Sequence, residues 1–191
     1  LAQRVQHWVL AVLFVLLALT GFPMKFAEHT WARMVIDAFG GLYWARTVHH
    51  WSGMALMAGF ACHLVYVLWT IQQRRRAAAA AGHAVSFYRT LTALPMWVSP
   101  TDVKKMGQQL AYLAMMRKTR PTYGRFSIKE KFEYIGVFWG TTLLGLTGLM
   151  LWGEQLVSHV FGGRVLNIAL IAHTYEAFLA VIHVGILHII N

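Results

Sequence analysis

A chain of 191 residues with 58% hydrophobic and only 13% charged residues, at a mean hydropathy of +0.50, is not an ordinary soluble domain, which carries about twice that charged fraction. Its net charge is +10, but the basic residues border apolar runs, so anionic lipid headgroups account for them and nucleic acid is excluded as a partner. The single cysteine, Cys62, rules out a disulfide within the chain, and no Cys-x-x-Cys-His segment is present.

Four runs approach or exceed the about 20 residues a transmembrane helix needs. They lie at about 5–22, 43–71, 132–152 and 165–190 and predict an all-α fold, an integral membrane four-helix bundle that uses residues 1–191 as a single domain. The first run contains His7 and ends in Thr20-Gly21-Phe22-Pro23. It lacks a small-residue cleavage site and so reads as a span, not a signal peptide. Leu1 is not Met and the chain stops three residues past His188, so the native polypeptide is expected to extend at both ends.

The second run carries His49 and His63, fourteen residues apart, and the fourth carries His173 and His188, fifteen apart. At about 1.5 Å and about 100° per residue, each pair is separated by roughly 21–23 Å along its helix. Fourteen steps fall roughly 40° short of whole turns and fifteen overshoot by roughly 60°, which keeps both members of each pair on one broad face. Imidazoles are costly in a bilayer and mark a proton path, an ion site or a cofactor. Zinc needs three or four converging ligands, which residues so far apart do not supply. Acidic residues are scarce in the spans, which argues against an ion carrier. Two helices, each with an upper and a lower imidazole at matching depth, are suited to two stacked haems. His50 lies about 100° from His49 and His183 about 140° from His188, so neither is assigned as a ligand. His29, His83 and His159 fall in connections, where a solvated imidazole is the default.

Residues 77–131 form the one long extramembrane segment. Ala77–Ala81 continue the second helix into solvent, and Ser99-Pro100-Thr101-Asp102 reads as the start of a helix lying on the membrane surface as far as Met116. Ser127-Ile128-Lys129-Glu130 is a capping box that opens the third span. Gly136, Gly140, Gly145 and Gly148 in that span suit either close helix packing or room for a flat porphyrin. Twelve of the 17 Lys and Arg lie between the second and third spans, which places this loop and both termini in the cytoplasm.

Arg4-Val5-Gln6-His7-Trp8 with Leu19-Thr20-Gly21, then Arg46-Thr47-Val48-His49 with Gly53, then His173-Thr174-Tyr175-Glu176-Ala177 and His188-Ile189-Ile190-Asn191 resemble the di-haem cytochrome b subunits of bacterial respiratory enzymes. These are the gamma subunit of formate dehydrogenase and the b-type cytochrome of nickel-iron hydrogenase. The resemblance covers all four spans. It implies two haems b in the bacterial inner membrane, carrying electrons between a quinone pool (menaquinone or ubiquinone) and a periplasmic partner, either a multihaem cytochrome c or an iron–sulfur or dehydrogenase subunit. It also implies His49 and His173 as the periplasmic pair and His7 and His188 as the cytoplasmic one. His63 departs from that pattern, yet its depth matches His188, so the partner of His188 is either His7 or His63. By the same resemblance the quinone lies near the start of the third span, at Ser127, Glu130 and Lys131; Ser and Glu stand where the family tends to have Asn and Gln. Arg46 and Arg164 are placed to neutralise propionates. Bis-histidine ligation leaves no axial site for oxygen, so electron transfer is the expected role. Two other classes fit the composition: a stand-alone b-type cytochrome that reduces an external acceptor, and a histidine-rich channel or sensor.

Overall fold

The computed structural model describes residues 2–189, and the side chains of residues 4–186. The chain is all-helical, 80% helix, with no strand among the described residues. The helices are α1 (Ala2–Lys25), α2 (Thr30–Ala38), α3 (Leu42–Ala80), α4 (Phe87–Thr92), α5 (Pro100–Leu113), α6 (Ile128–Trp152), α7 (Glu154–Phe161) and α8 (Gly163–His183), followed by a π-helical turn at Val184–Ile189. Four of them, α1, α3, α6 and α8, are long and apolar enough to cross a membrane.

Burial in these spans is inverted relative to a soluble protein. Thr20, Ala45, Ser52, Thr141, Thr147 and Ala169 are buried, whereas Trp8, Val12, Val65, Leu68, Trp139, Ile168 and Leu179 are exposed. Large apolar side chains facing outward suit hydrocarbon, and small residues between helices let backbones approach. Trp31, Tyr43, Trp44, Trp51 and Trp152 cluster near one set of helix ends and are exposed, as expected of an interfacial aromatic belt. Cys62 is exposed on α3.

The chain divides into two compact units. The first comprises Leu1–Cys62 and Trp139–Asn191. It consists of two similar hairpins: α1 joined to the first part of α3 through α2, and the last part of α6 joined to α8 through α7. Phe178 of α8 packs edge-on against Phe22, with ring centres 4.9 Å apart, and near Phe26 at 6.0 Å. A methyl group at Gly145 would collide with the Met57 side chain, and one at Gly140 would come within 3.3 Å of the Glu176 carboxylate. Close helix contact therefore explains those two glycines, while Gly136 has nothing within 4 Å.

The second unit is His63–Phe138. As expected from Ala77–Ala81, α3 continues past its apolar part and runs 39 residues to Ala80, about 58 Å at 1.5 Å per residue. Arg75 Nε donates to the Val85 carbonyl at 3.2 Å across the turn that follows, and the Ser86 hydroxyl caps α4 by accepting from the Arg89 N–H at 3.3 Å. Both helix starts read from the sequence form. Asp102 accepts from the Ser99 N–H at 2.8 Å, and the Ser127 N–H donates to Glu130 at 2.6 Å. An ion pair ties them together: Lys131 Nζ lies 2.7 Å from Asp102 and donates to the Trp97 carbonyl at 3.0 Å.

Several bounds differ from those expected. The helix of the third span begins at Ile128, as the capping box implies, four residues before the apolar run at 132. His159 sits in α7, not in a loop. The fourth span leaves α-helical geometry after His183. A π turn advances by roughly 80° per residue, so the backbone at position 188 ends roughly 30–40° short of whole turns from 173, not 60° beyond. The His188 side chain lies outside the described residues.

Burial alone would raise the Asp102 carboxyl, but the hydrogen bonds from Lys131 and Ser99 and the Lys131 charge outweigh it and hold the group down from 3.8 to about 2. A depressed carboxyl contributes stability that is complete above pH 3.8 and lost as pH falls towards 2. Pepsin cleavage of the 77–131 segment in membranes should therefore stay slow at pH 4.5 and accelerate steeply between pH 4 and 2. Asp102→Asn should abolish that dependence. Lys131→Met strands a carboxylate only 10% exposed, and should cost about 3 kcal/mol of local stability, measured as faster tryptic cleavage near pH 7.

Candidate functional site

His49 lies on α3 seven residues after its first residue, and His173 on α8 ten residues after its own. The structure brings the two together. Their ring centres are 6.2 Å apart and their planes meet at 70°. An imidazole bonded to a metal at about 2.0–2.1 Å holds its ring centre roughly 3 Å from the ion, so two on opposite sides stand about 6 Å apart. The observed separation matches two axial ligands of one iron. Edge-on ring contact also spans this distance, and the hydrogen bonds separate the two cases.

Thr20 Oγ1 is 2.9 Å from His49 Nδ1, and Thr147 Oγ1 is 3.0 Å from His173 Nδ1. Each hydroxyl also donates backwards along its own helix, Thr20 to the Leu16 carbonyl at 2.7 Å and Thr147 to the Leu143 carbonyl at 2.7 Å. A hydroxyl has one proton, so towards the ring each threonine accepts. Both histidines then carry their proton on Nδ1 and keep the Nε2 lone pair, the form that binds a metal. Among the described residues, no group of three or more His, Cys, Asp or Glu is arranged to hold a bare metal ion. Two neutral imidazoles at this spacing fit haem, whose macrocycle supplies the other four ligands.

Glycine completes each half. A methyl group at Gly21 would sit 3.0 Å from His49 Cε1, and one at Gly148 would sit 3.2 Å from His173 Cε1. Both imidazoles therefore rest against a helix backbone that only glycine leaves open. Thr20 and Thr147 each stand five residues before the end of their helix. Sequence reasoning passed over this role for them. The available signal was the repeat of Leu19-Thr20-Gly21 as Leu146-Thr147-Gly148.

The other expected residues are placed as follows. His7 is exposed on α1, its ring edge-on to Trp8 at 6.2 Å. His63 is half-buried, with Nε2 at 2.9 Å from the Tyr134 hydroxyl of α6. His50 stacks on Trp152, with ring centres 4.6 Å apart and planes at 24°, and is a neighbour of the site. Arg46 and Arg164 are exposed near the α3 and α8 N-termini. Ser127 and Glu130 bond to each other in the capping box, and Lys131 is held by Asp102.

Residues 1–190 match the prokaryotic cytochrome b561 family. A formate dehydrogenase cytochrome b556 subunit of Haemophilus influenzae is 23% identical over 176 residues, which cover 92% of this chain and 62% of the relative. The chain thus spans less than two thirds of that relative's length. No solved structure matches it. The paired, tautomer-fixed histidines and the full-length match agree: the chain belongs to the prokaryotic cytochrome b561 family and is a membrane-bound b-type cytochrome.

Proposed function

We propose that the chain is a di-haem b membrane subunit that carries electrons across the bacterial inner membrane, between the quinone pool and a periplasmic redox partner subunit. One observation carries this reading: His49 and His173 face each other at the spacing of two axial ligands, each with Nδ1 bonded to a threonine. A haem b held by His49 and His173 would supply one-electron transfer.

The second haem takes His188 with His7. His63 is the other candidate for that place, but its Nε2 is engaged by the Tyr134 hydroxyl. A ligand would give up that bond. His63 and Tyr134 instead form a hydrogen-bonded pair suited to a quinone's oxygen and proton, with Ser127, Glu130 and Lys131 one to two turns earlier on α6 as further candidates. The basic segment 77–131 belongs to the cytoplasmic side, so Arg46 and Arg164 stand at the periplasmic ends of their helices, where propionates would need a counter-charge. A relative named as a formate dehydrogenase subunit supports a dehydrogenase or iron–sulfur partner, with a multihaem cytochrome c as the other class.

A pyridine haemochrome assay should return about two haems b per chain; a value near zero rejects the reading and leaves the channel or sensor. His49→Ala and His173→Ala should each remove one haem and spare the other. His7→Ala should likewise remove one, whereas His63→Ala should leave both low-spin and slow their reduction by quinol at least tenfold. If His63→Ala instead removes a haem, His63 is the ligand. A reporter fused near Arg76 should be cytoplasmic and one near Ala32 periplasmic; the reverse would place the His49–His173 pair on the cytoplasmic side.

A further inference from the structure

We infer that Leu19-Thr20-Gly21 and Leu146-Thr147-Gly148 are two copies of one imidazole cradle, in which each threonine is a positioning residue that sets the redox potential of the haem held by His49 and His173. The inference rests on the di-haem reading and adds a device to it.

The two copies share one geometry. The hydroxyl donates to the carbonyl four residues back at 2.7 Å in both, and stands 2.9 or 3.0 Å from Nδ1. The glycine next to it leaves 3.0 or 3.2 Å between a built Cβ position and Cε1. Thr20 and Thr147 are 1% and 6% exposed, so water does not replace either bond.

The bond direction determines the chemistry. Nδ1–H donates to a neutral hydroxyl oxygen, which withdraws little proton density. The imidazole stays neutral and moderately electron-rich at Nε2. A carboxylate in the same place would push the ring towards imidazolate and favour ferric iron. With no acceptor the ring is poorer in electrons and favours ferrous iron. The threonine therefore fixes both the tautomer and the donor strength of its histidine. Because the two copies act on opposite ligands of one haem, their effects add on that haem alone, and the second haem is an internal reference.

The test is a redox titration of the full-length protein in membranes, following both haems optically. Thr20→Val and Thr147→Val keep the side-chain shape and delete the hydroxyl acceptor, leaving each imidazole only the Leu17 or Leu144 carbonyl. Each should raise one of the two midpoint potentials, by about 59 mV if the ferric-to-ferrous affinity ratio falls tenfold, and the double variant should add the two shifts. Thr→Ser at either site should restore the wild-type value, and Thr→Cys, a weaker acceptor, should fall between Ser and Val. Where a Val variant does not retain the haem, the Ser and Cys variants decide. Equal potentials across the series overturn the cradle while leaving the di-haem reading intact. A shift of both haems together also overturns it, since that is a global effect. A wild-type protein without b-type haem overturns the di-haem reading, and the cradle with it.

Discussion

In hydrocarbon, a threonine hydroxyl has no water to receive its proton and gives it to the carbonyl one turn back on its own helix. The arrangement of His49 and His173 depends on that bond. Once Thr20 and Thr147 have donated to Leu16 and Leu143, each can only accept from the imidazole beside it. The same solvent constraint explains the inverted burial. The lipid tolerates Trp8, Val65 and Leu179 outside, so the scarce interior is left to small and hydroxylated residues that bring the helices close.

Much of this was legible from the sequence because bilayer thickness imposes a length that composition records directly. The four apolar runs became α1, α3, α6 and α8, and Ser99–Asp102 and Ser127–Glu130 started the helices they were expected to start. His49 and His173 could be singled out because an imidazole has few reasons to sit in a span. The short helices α2 and α7 were not legible: nine and eight residues of mixed character give too little periodicity to separate from a loop. The π turn left no local mark, since widening a helix by one residue per turn requires no particular side chain. It matters because a fifteen-residue spacing read on an ideal α-helix gives the wrong angle.

The candidate quinone residues show how two explanations can share the same side chains. Ser127 and Glu130 cap α6, and Lys131 holds Asp102, so their presence is already accounted for by folding. The His63–Tyr134 bond neither caps a helix nor closes a turn; it joins α3 to α6.

The hairpin arrangement has a consequence for how the protein is made. Thr20 and His49 belong to the first hairpin, Thr147 and His173 to the second. Each imidazole is thus oriented, in the correct tautomer, by a helix inserted within the same pair of spans. Neither waits for the other half of the chain. The first hairpin leaves the ribosome with its imidazole already set, and the long basic segment separates it in time from the second. On the di-haem reading, cofactor capture then becomes the joining of two finished halves, each contributing one face, in place of the shaping of a pocket around a bound ring.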